Sequence, residues 1–359
     1  MAKYGDVLAA LGDYRNELHT QTHEELSAQF ASASASKKAT ATAFSAQGGV
    51  SAFATSLTNV HATGVGIRVR KGKVQQGEFV IKVFVFDKQD LGAATPEVTK
   101  SYNGVEVDVE HLPIQSALAA AAIPPNRRRR RPIPGGVSVA PLNAPFVGTL
   151  SGFLRRVSHG VQQTFALSNN HVFADVNSLP AGTQIVQPGP EVGPSQPGDV
   201  FAALSAFIPI QFPSASAPAV TNRFDAAIAI VSNLSLIRTG SMLGIANYTP
   251  TLLAPVPGMR VTKSGRTTGV TTGVITATHV NGVHINYGTQ THPRIAIFND
   301  TIEIVGDGGV PFSNPGDSGS LILDRASGRP VALLFAGDGR TTTACDIGGV
   351  CQEFQALPV

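Results

Sequence analysis

The sequence has no tryptophan, only two cysteines and three methionines, and few charges: 14% of its 359 residues, against 42% hydrophobic. No apolar run approaches the ~18 residues that a membrane span requires, so a membrane-embedded chain is not expected. The N-terminus, "MAKYGDVLAALGDYRNELH", lacks the basic, apolar and cleavable sections of a secretory signal. The formal charge of +3 also misleads. Without the single run Arg127–Arg131, the 27 basic residues fall just below the 24 acidic ones. A general nucleic-acid surface is therefore not expected, and the arginine run between prolines reads as a solvated linker. Cys345 and Cys351 sit in "TTTACDIGGVCQEF" with no His or Cys to complete a ligand set, so they read as buried free thiols. His159, His279, His284 and His292 are scattered without ligand spacing. No metal and no cofactor is expected. Together these absences point to a soluble protein of a reducing compartment, placed in the cytoplasm.

What is abundant is glycine (37) and proline (24), set between short Val/Ile/Leu/Thr runs. That pattern predicts a mainly β chain with many turns. The first residues are the exception. Tyr4, Val7, Leu8, Leu11, Tyr14 and Leu18 fall on one helical stripe. They open a segment, 1–50, that continues as the low-complexity tether "ASASASKKATATAFSAQGG". Residues 60–113 predict a small α/β module, with strands in "HATGVGIRVRKGKV", "EFVIKVFVFDKQDL" and "NGVEVDVEHL". Residues 114–134 form a Pro/Arg-rich linker. From 135 to 345 short strands recur every eight to twelve residues without intervening helices, the signature of barrels or a sandwich. In 346–359, Asp346 is placed to cap a short C-terminal helix with Ile347, Val350, Cys351 and Phe354 on one face.

Three polar residues stand out in this β-rich part. "LSNNHVFAD" puts His171 after an apolar strand, "NRFDAAIAIV" puts Asp225 before one, and "NPGDSGSLIL" puts Ser318 in a glycine-flanked turn. Each alone is ordinary: a surface histidine, a turn aspartate, a turn serine. Jointly they supply a nucleophile, a base to take its proton and a carboxylate to orient that base, in the chain order His, Asp, Ser. The glycines let the amides of Gly316 and Ser318 face a developing oxyanion. "SGRTTG" at 264–269 could suggest phosphate binding, but no P-loop lysine pattern follows it, and a turn between strands is the simpler reading.

"LSNNHV", "FDAAIA", "TKSGRTTGVTTGVI" and "NPGDSGSLIL" resemble trypsin-like serine peptidases of the chymotrypsin fold, in the bacterial and plant intracellular branch that includes NARROW LEAF 1-like proteins. "GVGIRVRKGK", "FVIKVFVFDKQDL", "NGVEVDVEHL" and "RPIPGGVSV" are similar to that branch's N-terminal module and junction. The resemblance implies a chymotrypsin-like double six-stranded β-barrel, preceded by the small α/β module and the N-terminal helical segment. His171 and Asp225 would come from the first barrel and Ser318 from the second. It implies a serine endopeptidase acting on protein or peptide substrates through an acyl-enzyme. A catalytically inactive trypsin-like binding scaffold and a carboxylic-ester hydrolase remain as alternatives.

Two departures qualify the resemblance. Trypsin-type zymogens free an amine that pairs with the aspartate before the nucleophile. In "RRRRRPIPGG" the last arginine precedes Pro132, a poor cleavage site, so Asp317 is expected to find partners within the folded chain. At the pocket-floor position stands Phe312 in place of an acidic residue, with Ala336 and Gly337 as the expected pocket wall, so cleavage after uncharged side chains is expected. The 1–30 helical segment is expected to dock a partner or a second copy of the chain, or else to cover its own peptidase domain.

Overall fold

The computed structural model describes residues 2–15, 60–70, 73–85, 100–112, 115–116, 125–158, 160–190, 196–214, 219–245 and 247–359. Leu18 and the predicted tether lie outside the described residues. No helix among the described residues is long and apolar enough to cross a membrane.

The N-terminal part is a helix on a sheet. Residues 4–15 form helix α1, followed by strands β1 (Val60–Arg70), β2 (Lys73–Val85), β3 (Ser101–Tyr102), β4 (Val105–His111) and β5 (Gln115–Ser116). β1 and β2 pair antiparallel down to Arg70↔Lys73. Asn103 and Gly104, at φ of 47° and 76°, make the two-residue reversal between β3 and β4 that the Asn-Gly pair predicts. β4 then lies parallel to β2.

The α1 stripe is used up within the chain. Val7, Leu11 and Tyr14 are buried against Val65, Ile81, Val83 and Val105 of the sheet. Tyr4 reaches Thr278 at 3.0 Å, and Arg15 hydrogen-bonds the carbonyls of Thr63 and His279. Among the described residues of the predicted stripe only Leu8 is notably exposed. The expected docking role for this face is therefore corrected: a sheet with one apolar face must cover it, and α1 is the cover. Truncation of residues 1–15 should expose that face, which dye binding and light scattering would register as apolar exposure and aggregation. A monodisperse truncated protein with unchanged thermal stability would contradict this packing.

The first barrel comprises β6 (Ile133–Gly135), β7 (Ser138–Pro141), β8 (Gly148–Thr149), β9 (Gly152–Ser158), β10 (Val161–Ser168), the one-turn helix α2 (Asn170–Phe173), β11 (Gln184–Val186), β12 (Val200–Phe207), β13 (Ala227–Ile230) and β14 (Ile237–Met242). Its main sheet runs β9-β10-β13-β12-β11-β7-β8. This curved half-barrel is open between β8 and β9; Leu150 N–H to Val137 O (2.8 Å) extends the β7–β8 pairing and Ser151 N–H to Leu167 O (2.9 Å) the β9–β10 pairing. Val139, Leu150, Phe153, Phe173 and Ile185 fill it.

The second barrel comprises β15 (Arg260–Gly265), β16 (Gly269–Asn281), β17 (Val283–Asn286), β18 (Ile295–Phe298), β19 (Thr301–Gly306), β20 (Leu321–Asp324), β21 (Pro330–Gly337) and β22 (Thr341–Asp346). Antiparallel ladders β15-β16, β16-β19, β19-β22, β22-β21, β21-β20 and β20-β15 close a six-stranded ring. Closure removes the sheet edges, and β17–β18 projects as a hairpin from the ring. The fold is thus mainly β, a chymotrypsin-like double barrel; among the described residues only the second barrel is a closed six-stranded ring, where two were expected. Helix α3 (Ile347–Phe354) follows, with the Asp346 carboxylate accepting the Gly348 and Gly349 amides, and Ile347, Val350, Cys351 and Phe354 buried. β23 (Leu357–Pro358) returns the chain to β9 of the first barrel. Both cysteines are free and buried.

Two connections tie these parts together, the second against expectation. The module continues the second barrel's sheet, because β1 pairs with β16. Fully buried Lys82 seals that seam, 2.5 Å from Glu110 Oε1 and 3.8 Å from Glu303 Oε1. Burial pushes the Glu303 carboxyl up to about 7 despite the lysine. The predicted 114–134 linker also takes part in the fold. β5 pairs with β17 and with Gly337 of β21. Arg129 binds Asp199 at 3.0 Å, Arg131 reaches the Gln187 side chain at 2.7 Å, and Arg127 is buried. The arginine run is hence not a solvated linker: carboxylate and amide acceptors on the first barrel hold it down.

Candidate active site

His171 is carried by α2, the single turn that follows β10. Asn169 precedes that turn, and its Nδ2 donates to the Asp225 carbonyl at 2.6 Å, tying the turn to the segment entering β13. Asp225 is fully buried. Its Oδ1 accepts the His171 amide at 3.2 Å, and its Oδ2 lies 2.5 Å from His171 Nδ1. Two contacts to one carboxylate fix both the backbone and the ring of His171. A ring nitrogen facing a carboxylate is the protonated one in the neutral tautomer, which leaves Nε2 free to accept. Among the described residues Nε2 has no hydrogen-bond partner.

Ser318 comes from the second barrel, in the loop before β20, and the first barrel grips that loop. Thr149 N–H donates to Ser318 O (2.8 Å), Thr149 Oγ1 to Gly316 O (2.8 Å) and Ser151 Oγ to Gly319 O (2.5 Å). Glycines at two points allow the approach. A Cβ at Gly148 would strike both the Val172 side chain, next to His171, and the Ser318 carbonyl. A Cβ at Gly319 would strike Thr149 O and Ser168 Oγ, and its φ of +93° suits only glycine. The His171 turn and the Ser318 loop therefore meet at the junction of the barrels. Ser318 Oγ itself donates to Phe335 O at 3.4 Å.

The amides of this loop divide sharply. Asp317 N–H donates to Asn314 O, Gly319 N–H to Leu334 O, Ser320 N–H to Asp317 O, and Asn314 N–H to Asp317 Oδ2. Residue 315 is proline and has no N–H. Within residues 314–320 the Gly316 and Ser318 amides are the two with no acceptor among the described residues. Unpaired donors two residues apart beside a serine hydroxyl can receive an anionic oxygen.

Asp317 sets the conformation of the loop. Fully buried, it accepts the Thr267 and Thr268 amides on Oδ1 (2.8 and 3.2 Å) and the Thr268 hydroxyl on Oδ2 (2.6 Å). Lys263 Nζ, equally buried, lies 3.2 Å away. Burial pulls the Lys263 ammonium below its ordinary range while Asp317 pulls it back. The expected internal partner of Asp317 is thus Lys263. The "SGRTTG" turn, read from the sequence as a plain connection, is a cradle for this carboxylate.

The expected pocket residues need correction. Phe312 is fully buried with Val261, Ile275, Ile302 and Ile304 in the interior of the second barrel. It packs the core, where an aromatic ring loses the most water, and the expectation of uncharged specificity that rested on it loses its support. Ala336 is buried within the β21–β22 ladder, and Gly337 pairs with both Thr342 and Ser116.

Tyr287 escaped the sequence reading. Its hydroxyl donates to Asp225 Oδ2 at 2.8 Å. A lone tyrosine after a short strand carries no local signal. Only the hairpin's placement brings it to the aspartate.

With this geometry in view, the family model of the Nal1 C-terminal domain matches residues 219–345. That span holds Asp225 and Ser318 and excludes His171. Among curated proteins none matches the chain. Similar solved structures include Thermobifida fusca Protease A, at 15% identity and a TM-score of 0.42, covering 63% of this chain and 98% of that one. A glutamic acid-specific serine protease with a histidine triad in substrate binding has 17% identity and a TM-score of 0.42, covering 63% of this chain and 100% of its own. Nocardiopsis Protease has 17% identity and a TM-score of 0.42, covering 63% and 99%.

Proposed function

We propose that this chain is a serine endopeptidase in which Ser318 is the nucleophile, His171 the general base and Asp225 the group that orients the base. The observation that carries the reading is the pair of unpaired amides, Gly316 and Ser318, flanking Asp317 in the 314–320 turn, whose other amides are engaged. Rotation of Ser318 Oγ away from Phe335 O would offer its proton to His171 Nε2. The oxygen then attacks a peptide carbonyl, whose oxyanion takes the two amides. His171 returns the proton to the leaving amine, and water repeats the sequence on the acyl-enzyme. Because Lys263 already stands against Asp317, the loop needs no amine freed by cleavage elsewhere. Activity without proteolytic processing follows.

A second reading, an inactive binding scaffold, is favoured by one observation: Ser318 Oγ is bonded to a carbonyl and His171 Nε2 has no partner. A fluorophosphonate probe separates the two. The unprocessed protein should label stoichiometrically and Ser318→Ala should not label, while retaining its thermal stability. Failure of the wild-type protein to label would establish the scaffold reading, and equal labelling of the alanine variant would identify another nucleophile. A proteome-wide cleavage screen then distinguishes a peptidase from a carboxylic-ester hydrolase.

A further inference from the structure

Asp225 must satisfy two opposed requirements. To orient His171 and stabilise an imidazolium it must be ionised, yet it is fully buried, where ionisation is disfavoured unless hydrogen bonds compensate. His171 supplies two donors, its amide and Nδ1. The third comes from the other barrel: the Tyr287 hydroxyl, 2.8 Å from the same Oδ2 that faces Nδ1.

The Tyr287 side chain is built into this position. It follows β17, and its amide donates across the hairpin to Arg294 O at 2.9 Å. Its ring lies 5.8 Å from the His171 ring, 6.0 Å from Phe212 in an edge-on contact, and 6.2 Å from Phe298. These ring contacts hold the side chain with its hydroxyl at the carboxylate. We infer that Tyr287 is a positioning residue, whose hydroxyl holds the Asp225 carboxylate ionised and aimed at His171 Nδ1 and so sets the basicity of the imidazole. Its role rests on the peptidase reading only insofar as His171 is a base; the contact itself can be tested without catalysis.

The titratable side chains about Asp225 are His171, Tyr287 and Cys345. Burial, then Asp225, raises the Tyr287 phenol well above its usual value, so it stays a donor at working pH. Burial likewise raises the Cys345 thiol, which stays neutral. Tyr287→Phe keeps the ring and removes one donor. More of the carboxylate's charge then falls on Nδ1, and the imidazolium is favoured.

The test is an NMR titration of His171 in the wild-type and Tyr287→Phe proteins, with the resonance assigned by its loss in His171→Gln. The His171 midpoint should move up by about 0.5 to 1 pH unit in the phenylalanine variant. The second-order rate constant for fluorophosphonate labelling should fall about 10- to 100-fold, as expected for a slightly misplaced base. Its acid limb should move up with the NMR midpoint. An unchanged midpoint would overturn the inference, even if labelling fell through lost packing. If neither protein labels but the midpoint still moves, the positioning contact stands and the peptidase reading fails.

Discussion

Asp225→Asn is expected to lower the rate constant for fluorophosphonate labelling by about 10⁴, with the fold intact. The amide is close in size to the carboxylate, so the contact to the His171 amide can persist through its oxygen, while the NH2 takes the place of Oδ2, which faces Nδ1 and the Tyr287 hydroxyl. What changes is the face shown to Nδ1. An NH2 group there turns the imidazole to the tautomer that carries its proton on Nε2, which cannot accept from Ser318. Charge on the imidazolium also goes uncompensated. The measurement is labelling kinetics beside thermal unfolding of the same preparations. A loss under tenfold would mean that His171 is held by other groups, leaving Asn169 and the α2 turn as the orienting elements. A loss accompanied by unfolding would mean that Asp225 serves the fold first.

Lys263→Met should have the next largest effect, through stability as well as activity. Lys263 and Asp317 are both fully buried and 3.2 Å apart. Removing the ammonium leaves a buried carboxylate with hydrogen bonds but no counter-charge, which costs about 3–5 kcal/mol. The damage should concentrate in the loop that presents Gly316 and Ser318, because Asp317 also binds Asn314 and the Thr267–Thr268 turn. Labelling should therefore fall as well. Adding Asp317→Asn to Lys263→Met removes the stranded charge and should recover part of the stability in urea titrations. A single-variant loss under about 1 kcal/mol would show that water or rearrangement satisfies Asp317, and that the pair does not govern the loop.

The contrast between these residues explains what was readable in advance. His171, Asp225 and Ser318 each sit in a distinctive local string, a glycine-flanked turn or the end or start of an apolar strand. Their proposed grouping rests on chain order and on the contacts described above. Lys263 was visible in "TKSGRTTG" yet gave no sign of its partner, since an ion pair between β15 and the nucleophile loop depends on barrel closure. Tyr287 had no local signal at all.

The strand content, the Asn103–Gly104 hairpin, the Asp346-capped helix and the triad candidates were determined by the sequence itself, because each rests on chemistry within a few neighbouring residues. The tertiary structure alone decided that α1 covers its own sheet, that β1 extends the second barrel through β16, that Phe312 belongs to the core, and that the arginine run is anchored. An apolar stripe records that a face must be buried, but not against what. A charge likewise records that a partner is needed, but its partner is chosen by segments that meet only when the barrels close.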